Sequence, residues 1–89
     1  MSNMFKYVQL LINQQMRTLK EIAKEIRSTW KNIYFGAVPY VEAMETLNSI
    51  NDDYFFDSGR EIVVRFLANV STWRGNDARR IKAELKAML

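Results

Sequence analysis

The chain has 89 residues, of which 48% are hydrophobic and 26% charged; this length and composition predict one globular domain spanning residues 1–89. Cysteine and histidine are both absent, which excludes disulfides, thiolate metal sites and the side chain that most often acts as a general base. The formal net charge is +3. It is unevenly distributed, because residues 36–59 carry only acidic charges and both flanking segments are basic.

The N-terminal residues Met1–Met4 lack the basic stretch followed by an apolar run that marks a secretion signal. The uninterrupted apolar runs are far shorter than the roughly 20 residues needed to cross a bilayer. We therefore expect a cytoplasmic protein with no membrane partner.

The first predicted helix runs from about Met4 to about Tyr34 and would be about 45 Å long. Its apolar residues recur at helical spacing and predict one face wide enough for a globular core. These residues are Phe5, Val8, Ile12, Leu19, Ile22, Ile26 and Ile33. The sequence Phe35-Gly36-Ala37-Val38 is expected to end the helix.

Basic residues at steps of three and four form what we call the first basic row: Arg17, Lys20, Lys24, Arg27 and Lys31. Their spacing places them along one side of the first helix, over about 20 Å. One interpretation is that the row contacts the phosphates of DNA or RNA. The other is a solvent-exposed face, partly covered by the acidic residues Glu42 and Glu45 of the second helix.

Three shorter helices are predicted after the first. Pro39 opens the second, because proline is favoured in a first helical turn where its missing N–H costs nothing. Ser58 and Glu61 fit a capping box at the start of the third. The fourth begins near Asn76 or Asp77.

The predicted fold class is therefore all-α, a small bundle of one long N-terminal helix and three short helices. No segment shows a sustained period of two, so no sheet is expected. Each short helix would be about 18 Å long, too short to cover the apolar face of the first helix. This mismatch favours a homodimer or an interface with another protein.

An acidic and aromatic turn separates the second and third helices. It contains the consecutive aromatic residues Tyr54, Phe55 and Phe56 between aspartates. Aromatic residues dominate binding hot spots, so one interpretation is a protein-docking surface. The alternative is that at least two of the three fold back to seal the end of the bundle. The aspartates lack the spacing of a calcium-binding loop, so no metal is expected.

The C-terminal segment 73–82 has the outline of a helix-turn-helix, whose residues able to read bases are Asn76, Arg79 and Arg80. The candidate nucleic-acid-binding residues of this segment are Arg74, Arg79 and Arg80. The match is poor, because the turn is long for this motif. Trp73 is interpreted as a core anchor in preference to a base-stacking platform.

Enzyme templates are not matched. A nucleophile–base pair cannot be built without histidine or cysteine, and the three glycines are too far apart for a phosphate loop. We expect neither catalysis nor a cofactor.

Residues 34–89 resemble small proteins of tailed phages and prophages. The resemblance lies in the stretches 34–44 (YFGAVPYVEAM), 60–67 (REIVVRFL) and 73–85 (WRGNDARRIKAEL). The group has no assigned activity, so the resemblance implies no functional residue. It implies a context in which small proteins bind a host or viral macromolecule and alter its behaviour.

Two function classes follow from these observations. The first is a non-catalytic accessory protein, encoded by a phage, that binds and modulates a host or viral protein complex in the bacterial cytoplasm. The second is a nucleic-acid-binding protein that uses the first basic row and the basic C-terminal helix.

Overall fold

The computed structural model describes residues 17–89, and this part of the chain is compact and mostly helical. Its elements, in chain order, are α1 (Leu19–Thr29), α2 (Val38–Met44), β1 (Asp53–Tyr54), β2 (Asp57–Ser58), α3 (Gly59–Leu67) and α4 (Asn76–Met88). Helix α2 packs against both α1 and α3, and α4 packs against α1. Within the described residues, no helix has the length and apolarity needed to cross a membrane.

The prediction of one helix from Met4 to Tyr34 is wrong at both ends of α1, and its residues 4–16 lie outside the described residues. Thr18 is extended, with φ −68° and ψ 152°, and its hydroxyl accepts a hydrogen bond from the Glu21 amide at 3.0 Å. A threonine in this position starts a helix because it satisfies an amide that has no partner in the helix. The cap was not predicted because apolar residues at helical spacing continue on both sides of Thr18 in the sequence.

Contacts from distant residues reinforce the start of α1. The amides of Leu19 and Lys20 donate to the carbonyls of Asn48 and Leu47, at 3.2 and 3.0 Å. A helix that continued upstream would bond these amides to its own carbonyls. The loop after α2 therefore satisfies two of the amides at the start of α1.

The starts of the three later helices agree with the sequence predictions. Pro39 lies in the first turn of α2 and α4 begins at Asn76. The Ser58 hydroxyl accepts from the Glu61 amide at 3.2 Å, which confirms the N-cap of α3. The second half of the predicted capping box is not observed, because the Glu61 carboxylate faces Arg65 at 3.6 Å and accepts no backbone hydrogen bond within residues 17–89.

The expectation that no sheet forms is wrong, because β1 and β2 make a two-stranded antiparallel hairpin. Asp53 pairs with Ser58 and Tyr54 with Asp57. Each strand has two residues, too few for an alternating pattern to be visible in the sequence. The turn is tight, and Phe55 has a positive φ of 56°.

The hairpin leads directly into α3 through Gly59, which lies against the loop after α2. Its amide donates to the Asp52 carbonyl at 2.6 Å. A Cβ at this position would lie 2.6 Å from the Ser49 carbonyl oxygen. Glycine is required here because the two backbones approach so closely.

Aromatic side chains join the ends of three segments in the core. Trp30 stacks on Trp73 with ring centroids 5.0 Å apart, and Phe66 meets both rings edge-on at 6.4 Å. All three are buried, which confirms that Trp73 is a core anchor. The remaining core residues are Leu19, Ile22, Ala23, Ile26, Ala37, Val41, Ala43, Met44, Leu47, Ile62, Val63, Val70, Ala78, Ile81 and Leu85.

Candidate functional site

The first basic row does not lie on one helix. Arg17 precedes the N-cap of α1, and Lys31 lies in the turn after the helix. Only Lys20, Lys24 and Arg27 are within α1. The continuous line of five cations expected from the sequence is therefore reduced to three residues on about two turns.

Arg17 is held in an ion-pair network between α1 and α4. Its guanidinium donates to Glu84 through Nε at 2.9 Å and Nη2 at 2.6 Å. It also lies 2.9 Å from the Glu25 carboxylate. The hydrogen bond to Glu84, followed by the one to Glu25, raises the pKa of Arg17 above its usual value despite partial burial.

Arg80 completes the same network from the other side of Glu25. It donates to Glu25 at 2.7 and 3.2 Å and to Asp77 at 3.1 Å. These contacts raise the pKa of Arg80, the bond to Glu25 most. The hydrogen bond from Arg80, with a second from Arg17, lowers the pKa of Glu25. Arg17, Glu25, Arg80 and Glu84 thus cross-link α1 and α4, and we call them the ion-pair network.

Arg27 forms a separate pair with the C-terminal end of α2. Its guanidinium donates to both carboxylate oxygens of Glu45, at 3.0 and 2.7 Å, and this hydrogen bonding raises the pKa of Arg27. For Arg27 the structure therefore agrees with the interpretation in which acidic residues of the second helix cover part of the row, through Glu45. Lys20 and Lys24 are exposed. An open cleft of about 400 Å³ is lined by Lys20, Glu21, Lys24, Arg27 and Glu45.

The basic residues predicted near α4 differ in their partners. Arg74, Arg79 and Arg80 are all exposed, but Arg80 belongs to the ion-pair network. Arg79 donates to the Asn76 side chain at 2.8 Å. The connection between α3 and α4 covers residues 68–75. This is longer than the turn of about three or four residues in a helix-turn-helix.

Two lysines of α4 were missed as candidate site residues. Lys82 and Lys86 follow Arg79 at steps of three and four, the same signal that marked the first basic row. The Lys82 ammonium donates to the Trp73 carbonyl at 2.6 Å. Burial, together with the charges of Lys86 and Arg74, lowers the pKa of Lys82. We call Arg74, Arg79, Lys82 and Lys86 the second basic row.

The acidic and aromatic turn forms the tip of the β1–β2 hairpin. Tyr54 is half-buried against the core, whereas Phe55 and Phe56 are 83% and 104% exposed. The alternative that at least two of the three aromatics seal the bundle is therefore wrong. Such exposure of two consecutive phenylalanines is unusual, because each removes a large apolar area from water when buried.

The base of this hairpin is fixed by its aspartates. The Asp52 carboxylate accepts from the amides of Asn48 and Ser49, at 2.9 and 3.1 Å. The Asp57 carboxylate accepts from Arg65 of α3 at 3.1 Å. Two of the acidic side chains around the aromatics therefore hold the turn in place.

A second exposed aromatic pair lies before α2. Tyr34 and Phe35 pack on one another with ring centroids 4.8 Å apart, and Phe35 is 79% exposed. The sequence had suggested only a helix break at this point. Residues 17–89 contain no group of three or more aspartate or glutamate side chains placed to hold a metal ion.

Comparison of the chain with protein-family models, with curated proteins and with solved structures finds no match.

Proposed function

We propose that this protein is a non-catalytic accessory factor that binds another protein through the tip of its β1–β2 hairpin. The observation that carries this proposal is the near-complete exposure of Phe55 and Phe56 on a hairpin whose base is held by hydrogen bonds. The resemblance of residues 34–89 to small phage proteins suggests that the partner is a host protein complex in a bacterial cytoplasm.

The geometry of the tip supports docking into an apolar pocket. Phenylalanine has few rotatable bonds, so its burial in a partner loses less conformational entropy than burial of a long flexible side chain. The fixed base reduces the ordering cost further, because the turn does not have to fold on binding. Interfaces are commonly dominated by a few aromatic anchors of this kind.

The alternative of nucleic-acid binding through the first basic row is less well supported. The guanidinium groups of Arg17 and Arg27 form ion pairs with carboxylates of the same chain. A phosphate would have to compete with these contacts. Lys20 and Lys24 are left as exposed cations of α1, beside the carboxylates of Glu21 and Glu45.

Site-specific photo-crosslinking tests the proposal. A photoreactive phenylalanine analogue replaces Phe56 in the full chain expressed in bacteria, and the adducts are identified by mass spectrometry. The matched control places the same analogue at Val64, a half-exposed position on α3. We expect one discrete protein adduct from position 56 that survives nuclease and is absent from position 64.

The double variant Phe55→Ser, Phe56→Ser supplies the complementary measurement. An excess of the wild-type chain should suppress the adduct by competition, and an excess of the double variant should not. Equal adducts from positions 56 and 64, or adducts lost on nuclease treatment, would contradict the proposal. An adduct with the mass of two copies would show instead that the tip makes a homodimer.

A further inference from the structure

We propose that the second basic row binds the phosphate backbone of a nucleic acid, with Arg74, Arg79, Lys82 and Lys86 as the contacting residues. This inference does not depend on the protein-binding role of the hairpin tip, because it uses a different surface. Two of the four residues, Lys82 and Lys86, were not among the basic residues expected to bind nucleic acid.

The charges of α4 are separated by face. At 100° per residue, Arg79, Lys82 and Lys86 lie within about 60° of one another around the helix. The buried residues Ala78, Ile81 and Leu85 form the adjacent face. The carboxylates of α4 lie on the remaining side, where Asp77 and Glu84 contact Arg80 and Arg17.

This separation leaves the second basic row without an ion pair in the described part of the chain. The contacts within 4.0 Å of a carboxylate in residues 17–89 involve Arg17, Arg27, Arg65 and Arg80. Burial lowers the pKa of Lys82, and the positive charges of Lys86 and Arg74 lower it further, because the cations of the second row repel one another. A ligand with several negative charges would relieve this repulsion.

The position of Arg74 is tied to the same face. The Lys82 ammonium donates to the Trp73 carbonyl, and Trp73 is buried against Trp30. Arg74 therefore extends from a backbone that is anchored in the core beside Lys82. Arg74 is therefore held next to the core at Trp73, and the other three residues of the row are held by helix α4.

The dimensions and neighbours of the row favour phosphates. Arg79 and Lys86 are about 10 Å apart along the helix axis, which corresponds to about three phosphates on one strand of duplex DNA. A membrane-binding helix needs large apolar residues beside its cations. Here the exposed residues beside the row are the small Ala83 and Ala87, which lie between it and the face of α4 that carries Arg80 and Glu84.

Two double variants with the same loss of charge test the inference. The first, Arg79→Gln with Lys86→Gln, removes two exposed cations of the second basic row. The second, Lys20→Gln with Lys24→Gln, removes two exposed cations of the first. The probe is a fluorescent 20-base-pair DNA duplex of mixed sequence, and its binding by the full chain is measured by anisotropy between 50 and 200 mM salt.

Four phosphate contacts predict a wild-type affinity that falls about 100-fold across this salt range. The second-row variant should bind at least 10-fold more weakly at 50 mM salt, and its log–log salt slope should decrease by about 1.8. The first-row variant should keep nearly the wild-type slope. Circular dichroism of both variants checks that they are folded.

Three results would overturn the inference. One is equal loss of affinity in the two double variants, which would indicate a diffuse charge effect. Another is equally tight binding of a poly-glutamate peptide, which would indicate an acidic protein as the ligand. The third is preferential binding to vesicles with anionic lipids over the duplex.

Discussion

The two basic rows look alike in the sequence and differ in what surrounds them. In the first row, Arg17 hydrogen-bonds to Glu84 of α4 and Arg27 to Glu45 just after α2, so both charges are paired within the protein. In the second row, Arg79 and Lys86 are exposed and form no ion pair within residues 17–89. The difference arises because α1 packs against both α2 and α4, which bring glutamates close to its basic residues. The basic face of α4 points away from α1 and its glutamates. A periodic basic row therefore indicates a binding surface only when the neighbouring elements are known.

The largest effect is expected from Trp73→Ala, which removes the core anchor beside the second basic row. The substitution removes a buried ring that contacts both Trp30 and Phe66. A large-to-small change of this kind costs about 3–5 kcal/mol of unfolding free energy. The measurement is urea denaturation followed by circular dichroism.

Trp73→Phe is the matched control, because it keeps an aromatic ring in the site and should cost clearly less. If Trp73→Ala changed the unfolding free energy no more than Trp73→Phe does, the ring would not be anchoring the connection to α4.

An intermediate effect is expected from Glu25→Gln, which weakens the ion-pair network. Glu25 accepts hydrogen bonds from Arg80 and contacts Arg17, so the change should cost about 1 kcal/mol at pH 7, after allowance for solvent screening. Lys24→Gln, one residue away on the exposed face, should leave stability nearly unchanged.

The same pair of proteins gives a pH dependence whose sign follows from the lowered pKa of Glu25. The contribution of Glu25 is complete above its unfolded-state pKa of about 4.3 and is lost as the pH falls through the lower folded-state value. The unfolding free energies of wild type and Glu25→Gln should therefore converge in acid. A difference that persists undiminished at pH 2 would show that the effect is not electrostatic.

The smallest effect is expected from Arg74→Gln, which tests the repulsion within the second basic row. Burial lowers the pKa of Lys82 most, and the charges of Lys86 and Arg74 lower it further, so neutralising Arg74 should raise that pKa, more at low salt than at high salt. The measurement is an NMR titration of the Lys82 side chain. The control, Lys31→Gln, removes an exposed cation outside the second row and should leave the Lys82 titration unchanged.

Much of the local structure was predictable, and the reason is the short range of the signals. The proline in the first turn of α2, the serine cap of α3 and the start of α4 depend on residues within one helical turn. The length of the first helix was not predictable in the same way. Its apolar period continues upstream of Thr18, but the cap and the bonds from Leu19 and Lys20 to the loop after α2 start the helix at Leu19.

The candidate site was less predictable than the fold. Exposure of Phe55 and Phe56 depends on a hairpin of two residues per strand, which leaves no periodic signal. Lys82 and Lys86 did show a helical spacing, and they could have been recognised by treating α4 with the same test as the first row.

By itself, the sequence determined the helical class, the apolar faces of the helices and most of their N-termini, because these depend on contacts between residues three or four positions apart. Only the tertiary structure decided which charged side chains form ion pairs with one another. The pairs Arg27–Glu45, Arg80–Glu25 and Arg17–Glu84 join residues 18, 55 and 67 positions apart. No local pattern specifies such pairs, since they form only when packing of the apolar faces brings α1, α2 and α4 together.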